Sequence, residues 1–508
     1  MPGLLDLPEE LLLAIVQALR DIWAIDALHN LAIVSKRFTP LVRVVFVKSA
    51  SICIEEDDGA SRPKHLVQFL MCLQRYPELV NCLDWIQLAW ERRRFTKAKA
   101  YNDVVEIIGH SRTLRRLSIN LASRTQLAKV PVLFHPPPGS FCNLKWIDVD
   151  VRPPAGLPAD YMANICELPN LQRISNSISN VVECSSPYML ETPETHFRST
   201  PLNLRCLEST APMTHIDYLK LVLPRAKHIE ALHISLPGPG VTQEPEWVEF
   251  ASSAIPDFDH KFSPHEIGRC LNHAARTLEE FSITSLRHHE YNREWTFVNP
   301  VEHDNSYLDL SSFERLHYLK ASSYLFFGPY RSAAVTYHQQ HRKIWELLPP
   351  HLEELHINFE GHQGIFASLQ TMFDRWVDAG LVDFAEYFVK YWKPEVASRF
   401  NDPTQLAWLY DILEQSSAGC FPNLTTIVLE ECYSTYWGDW KRIDVAALHP
   451  KLANHKIQVA IQVLVPKDVG VECLDVLRSS FDFTGGIDTS VEDAVMADLI
   501  SMGLINDR

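Results

Sequence analysis

One phrase recurs along the chain: an apolar residue, two mostly polar positions, a second apolar residue, any residue, and a third apolar residue. It reads as Leu83, Ile86 and Leu88; Leu114, Leu117 and Ile119; Leu144, Ile147 and Val149; and Ile229, Leu232 and Ile234. Further copies are Leu278, Phe281 and Ile283; Leu352, Leu355 and Ile357; and Leu424, Ile427 and Leu429. Weaker copies start at Leu171, Leu204 and Leu316, where the third slot holds Asn176, Ser209 or Ala321. The first anchors fall at 83, 114, 144, 171, 204 and 229, in steps of 31, 30, 27, 33 and 25; later steps of 49, 38, 36 and 72 imply insertions. Each phrase suits a short strand with one apolar face. Between the anchors, 66–79, 101–110, 215–223 and 264–278 have the 3.6-residue period of amphipathic helices. The fold class expected is α/β, built from strand-helix units that cannot bury their apolar faces singly and therefore stack.

The pattern resembles degenerate leucine-rich repeats of the longer kind. The family phrase L-x-x-L-x-L-x-x-N/C is complete once, at Leu424, Ile427, Leu429 and Cys432. The resemblance implies an irregular solenoid over 47–481, opening with a strand over 47–54 and carrying a helical insertion at about 358–420. An ordinary α/β domain in which leucine-led strands recur by chance is the alternative. Prolines and glycines at 237–240 place an exposed loop over 236–263. The tail, 482–508, reads as ending in a capping helix started by Ser490. Side chains on a strand alternate, so the residue between the last two anchors faces away from the helices. Those residues are Gln87, Ser118, Asp148, His233, Ser282, Lys320, His356 and Val428. We take Asp148, His233, Lys320 and His356, together with Tyr436 and Trp437 beyond the last full phrase, as the substrate-binding candidates.

Residues 1–46 have a different pattern. Leu11, Ile15 and Leu19 form a helical stripe with Leu12 and Val16 beside it. Pro8 suits a first helical turn, and Glu9 and Glu10 sit where the helix dipole favours negative charge. A second helix is expected from Asp26 as N-cap through Leu28, Leu31 and Val34. Ser35 is placed to cap a third. Three short helices bury little surface alone.

These residues, Leu7-Pro8-x-Glu10-Leu11 and then Val34-Ser35-Lys36-Arg37-Phe38, resemble the F-box motif, which docks a protein onto the Skp-type adaptor of SCF ubiquitin ligases. In place of the second Leu-Pro pair found in many F-boxes stand residues 20–25. The resemblance implies that Leu7, Pro8, Ile15, Val34, Ser35 and Phe38 face the adaptor and, through it, a cullin-RING ligase. We expect Leu7, Pro8 and Phe38 to be presented outward, and Leu11, Leu28 and Leu31 to hold the trio itself together.

Composition narrows the remaining choices. With 47 Lys and Arg against 63 Asp and Glu, the net charge of −16 disfavours polyanion binding, so no nucleic-acid partner is expected. Arg92, Arg93 and Arg94 with Lys97 and Lys99 read as a solvated basic turn. Eleven cysteines include no C-x-x-C pair, which favours a reducing compartment over a zinc ribbon or disulfide framework. The first residues lack a secretory signal, no apolar run spans a bilayer, and a cytoplasmic or nuclear protein without membrane contact is expected. Phosphate-loop, dinucleotide, nucleophile-elbow and zincin motifs are absent. The 22 histidines show no ligand spacing beyond His288-His289 and the pair His338 and His341, so neither metal nor cofactor is expected. The aromatic group Tyr433, Tyr436, Trp437 and Trp440 is either a partner anchor or a cover for the array's end.

The function implied is substrate receptor of an SCF-type ubiquitin ligase: no bond chemistry of its own, a protein target on the repeats, and catalysis by proximity. A non-degradative F-box scaffold and, further off, a cryptic α/β hydrolase or transferase are the rivals.

Overall fold

The structure, a computed structural model, describes residues 7–21, 25–54, 64–90, 98–121, 136–151, 157–176, 181–182, 201–210, 216–237, 263–286, 304, 306–327, 343–360, 406–432, 438–445, 452 and 455–466. It begins with three helices, α1 (Glu9–Asp21), α2 (Ile25–Val34) and α3 (Phe38–Lys48). Strands and helices then alternate, so the class is α/β.

The strands are β1 (Ser49–Ile54), β2 (Trp85–Trp90), β3 (Arg116–Leu121), β4 (Trp146–Val151), β5 (Arg173–Asn176), β6 (Cys206–Ser209) and β7 (Ala231–Pro237). After them come β8 (Glu280–Leu286), β9 (Tyr318–Ser322), β10 (Glu354–Glu360), β11 (Thr426–Cys432), β12 (Gly438–Asp444) and β13 (Gln458–Pro466). Among the described residues these thirteen form one sheet. β1 to β11 lie side by side in chain order, β13 follows them, and each is parallel to the one before it. β12 pairs antiparallel on the far edge.

Every phrase found in the sequence, weak copies included, starts one of these strands. The strands keep step because each start is tied to the last. The Asp84 carbonyl accepts the N–H groups of Arg115 and Arg116, the Arg115 carbonyl accepts those of Lys145 and Trp146, and the pattern continues to Glu353, which accepts those of Thr425 and Thr426. Steps of 25 and of 72 residues make the same joint, so the extra residues do not alter the strand-to-strand step. A second tie uses the asparagine before the leading leucine. Asn143 donates to the Arg112 carbonyl (2.7 Å), Asn170 to that of Cys142 (2.5 Å) and Asn203 to that of Pro169 (2.6 Å).

The apolar anchors share one face and one continuous core, from Val47 to Ile461. Helices cover that face: α4 (Lys64–Arg75), α5 (Ala98–Gly109), α6 (Ala159–Cys166), α7 (Ile216–Val222), α8 (Pro264–Leu271), α9 (Tyr324–Phe327) and α10 (Ala407–Ser417). Helix α5 buries Tyr101, Val104, Val105 and Ile108, the spacing of a single stripe. Ser263 caps α8 by accepting the Glu266 N–H (3.1 Å), and Pro264 takes the first turn, where its missing donor costs nothing. Gly268 lets α8 approach Leu308, whose Cδ1 lies 3.4 Å from where a Cβ would stand.

Several boundaries differ from expectation. The strand placed at 47–54 begins at Ser49, because α3 runs on to Lys48. Its Val47 packs under the sheet and joins the trio to the main core. Asp26 is the second residue of α2 and not its cap. The helices expected over 66–79 and 264–278 end earlier, at Arg75 and Leu271, and each is followed by a short 3-10 turn. β10 runs to Glu360, past the start at 358 expected for the insertion. Most of the loop at 236–263, residues 361–405 of the insertion and the tail lie outside the described residues.

Candidate docking surface and the open face of the sheet

Helices α1 to α3 close around a core of their own, formed by Leu12, Val16, Leu28, Phe38, Leu41, Val42 and Val45. The turn between α2 and α3 is built by the segment Val34 to Thr39. Ser35 ends α2: its N–H donates to the Leu31 carbonyl, its carbonyl accepts from Phe38 and Thr39, and its hydroxyl accepts the Arg37 N–H (3.2 Å). The Thr39 hydroxyl donates to the Ala32 carbonyl (2.9 Å), satisfying one of the carbonyls that a helix end leaves open. Arg37 reaches across and donates to the Leu7 carbonyl (2.9 Å). The two sequence blocks, some thirty residues apart, thus meet at one end of the trio.

The six residues assigned to an adaptor divide here. Val34 is 81% exposed and Pro8 is exposed, whereas Leu7, Ile15 and Ser35 are half-buried. Phe38 corrects the expectation: at 2% exposure it belongs to the trio's own core and offers no surface. Leu11 corrects it in the other direction, standing 51% exposed where a core role was expected. Ile33, 69% exposed, was not singled out at all. Its signal was the apolar pair Ile33-Val34 at the end of a ten-residue helix, where a single stripe needs only one of two adjacent positions. Pro8, Leu11, Ile33 and Val34 thus form an apolar set that the trio does not cover.

The other surface is the face of the sheet turned from the helices. Strand register places Gln87, Ser118, Asp148, Ser175, Glu208, His233, Ser282, Lys320, His356 and Val428 in one row across it. Asp148, His233, Lys320 and His356 therefore do share a face, but not one site. Tyr436 and Trp437 lie outside the described residues. Val428 and His356 are both buried.

Lys320 and His356 converge on Glu430, a carboxylate that strand reading did not pick out. Lys320 Nζ lies 2.7 Å from Glu430 Oε2 and His356 Nδ1 3.0 Å from Oε1, while His356 Nε2 meets Glu354 at 2.6 Å. Burial by itself would raise the Glu430 carboxyl. The His356 hydrogen bond and the Lys320 ammonium outweigh it and hold the carboxyl below its ordinary range. Tyr318, stacked at a tilt 5.3 Å from His356, has its phenol pushed up to about 12 by burial and then by Glu430 and the other carboxylates.

At the opposite end, Trp85, Arg116, Trp146 and Arg173 are register neighbours, one row nearer the strand starts. The Arg116 guanidinium lies 3.6 Å from the Trp146 ring centroid and that of Arg173 4.4 Å. Asp148 accepts from Arg116 (3.0 Å) and from the Trp146 indole (2.7 Å), and Glu208 accepts from Arg173 (2.6 Å). Asp148 is thus a positioning group for this ladder. Alternating cations and rings fix one another's rotamers and leave a rigid, half-exposed strip.

Among the described residues, no group of three or more His, Cys, Asp or Glu could hold a metal ion, and no helix is long and apolar enough to cross a membrane. Burial pushes the Cys166 thiol up to about 12 and Cys206 to about 11, away from thiolate reactivity. No protein-family model matches the chain, and no curated protein matches it.

Proposed function

We propose that the chain is a target-receptor subunit of an SCF-type ubiquitin ligase: an F-box-like helix trio holds a Skp-type adaptor, and a leucine-rich-repeat-like solenoid holds a protein target. The observation that carries the first half is the uncovered set Pro8, Leu11, Ile33 and Val34, beside a turn pinned by the Arg37–Leu7 hydrogen bond. Large apolar side chains left in water gain about 1.5–3 kcal/mol each on full burial, so a few of them can hold a stable partner after association costs. Support for the second half is the stepwise joining of strands in chain order and the half-exposed polar face they present. The proposed contribution to reaction is proximity: the target is kept at high effective concentration near a ubiquitin-charged enzyme on other subunits.

The test is capture of a purified Skp-type adaptor by the full chain. Ile33→Asp/Val34→Asp is expected to lose capture while melting like wild type, because neither side chain serves the trio's core. Equal recovery by both chains would contradict the docking assignment. Target half-life in cells with and without the protein then separates a degradative receptor from a scaffold.

A further inference from the structure

The strand starts carry a charge pattern that the row of candidate residues does not share. The last residue before each strand and the first residue within it are Arg115 and Arg116 at β3, Lys145 and Trp146 at β4, Gln172 and Arg173 at β5, and Arg205 and Cys206 at β6. They are Glu230 and Ala231 at β7, Glu279 and Glu280 at β8, His317 and Tyr318 at β9, and Glu353 and Glu354 at β10. Five cations therefore occupy β3 to β6 with no carboxylate among them, and five carboxylates occupy β7 to β10 with no lysine or arginine. Neighbouring strands are hydrogen-bonded in order, so the sequence blocks become two adjacent patches on one edge.

This edge meets solvent. Arg115, Lys145, Arg205, Glu280 and Glu353 are exposed, whereas Ser235, Ser322, Asn358 and Glu430, further along the strands, are buried. Internal ion pairs thin the pattern without erasing it: Arg205 and Glu230 pair across the boundary (3.3 Å), Arg115 meets Asp84, Glu279 meets Arg315, Arg116 meets Asp148, Arg173 meets Glu208, and Glu280 and Glu354 meet His233 and His356. Lys145 and Glu353 stand outside the ion pairs of the described residues. Arg116 and Arg173 are held upright by Trp146 and their carboxylates, so ordering them on contact costs little.

We infer that this edge binds an extended protein segment of the opposite block pattern, with acidic residues over β3–β6 and basic residues over β7–β10. The inference deepens the reading of the sheet as the target-holding surface, and rests on it. A polyanion such as RNA is disfavoured because half of the edge repels it. From β3 to β10 are seven strand steps of about 4.8 Å, roughly 34 Å in all, which an extended segment of about ten residues spans.

The test is fluorescence anisotropy of the full chain with labelled peptides of that length: a block peptide (a run of Asp followed by an equal run of Lys), an alternating Asp-Lys peptide of the same composition, and an all-Lys peptide. The block peptide is expected to bind about tenfold tighter than the alternating one, with the advantage fading as salt is added. Arg115→Glu/Lys145→Glu leaves three cations against two carboxylates on β3–β6, and Glu280→Lys/Glu353→Lys leaves three carboxylates against two lysines on β7–β10. Each should weaken the preference for the block peptide, and the four substitutions together should remove most of it while the circular dichroism stays that of wild type. Equal binding of block and alternating peptides by the wild-type chain, tighter binding of the all-Lys peptide, or a four-fold variant that keeps the full preference would overturn the inference. Adaptor capture, read on the same preparations, is expected to be unchanged by every edge variant. Its absence in the wild-type chain bears on the helix trio alone.

Discussion

The helix trio and the sheet are made from the same apolar residues and treat them differently. In the sheet, each strand between the terminal β1 and β12 has a neighbour on either side and helices on one face, so anchors from Leu83 to Ile461 are buried almost without exception. Among the described residues the trio's own core has seven buried apolar side chains, and Leu11, Ile33 and Val34 remain in water. The sheet hides its apolar face with helices along its length. A three-helix group has little to cover itself with, so some apolar side chains stay in water. The strand starts of the sheet expose charge, whereas the trio exposes apolar side chains beside its charged ones.

The largest effect should come from the sheet core. Phe281 and Leu355 are fully buried in the middle of the array, and Phe281→Ala is expected to cost about 3–5 kcal/mol, the range for a large side chain lost from a core that cannot collapse. Chemical denaturation with tryptophan fluorescence reads it. If the sheet tolerated the change with less than a third of that loss, the contrast with the trio would fail.

Phe38→Ala sharpens the comparison from the other side. It should melt the trio, with a cost of about 3 kcal/mol, and raise amide exchange in α1 to α3 while β4 to β11 stay protected. Uniform loss of protection would show one cooperative body in place of two regions with separate cores.

A smaller, pH-dependent effect belongs to Glu430. Its carboxyl is held below the ordinary value of 4.5 in the folded chain, so its contribution is fully present above that value and is lost as pH falls through it toward the folded value. Lys320→Met removes one partner and should cost about 1–3 kcal/mol at neutral pH, because the buried carboxylate keeps only His356. Glu430→Gln should flatten the fall in melting temperature below pH 4.5. A variant whose melting falls as steeply as wild type in that range would place the acid sensitivity elsewhere.

Least of all should be Asn170→Ala. Removing a single side-chain bond to the Cys142 carbonyl is expected to cost about 0.5–1.5 kcal/mol. The same change at Asn143 and Asn203 should add, since the three bonds share no partner.

Much of the array was legible because its signal is local. A phrase with apolar residues at its first, fourth and sixth places announces itself whatever separates it from the next, so even the copies at Leu171, Leu204 and Leu316 lead into strands. β13 escaped because it lacks the first anchor: Val459 and Ile461 fill the second and third apolar slots, but Lys456 stands where the leading leucine would be. The asparagine ties were readable in principle, as Asn-Leu at 143–144, 170–171 and 203–204, yet their meaning depends on a carbonyl in the preceding unit. Glu430 illustrates the same limit. Nothing near it in sequence points to Lys320 or to His356, 74 residues away. In the trio, periodicity found the helices, but which of two adjacent residues faces water depends on how three short helices cross, and there Phe38 and Leu11 exchanged the roles expected of them.

Amide exchange of the full chain with and without a purified Skp-type adaptor addresses the central claim most directly. The account predicts slowed exchange in the first turns of α1 and in the segment Ile33 to Phe38, with the strands of the sheet unchanged. Protection confined to the sheet, or none at saturating adaptor, would contradict it.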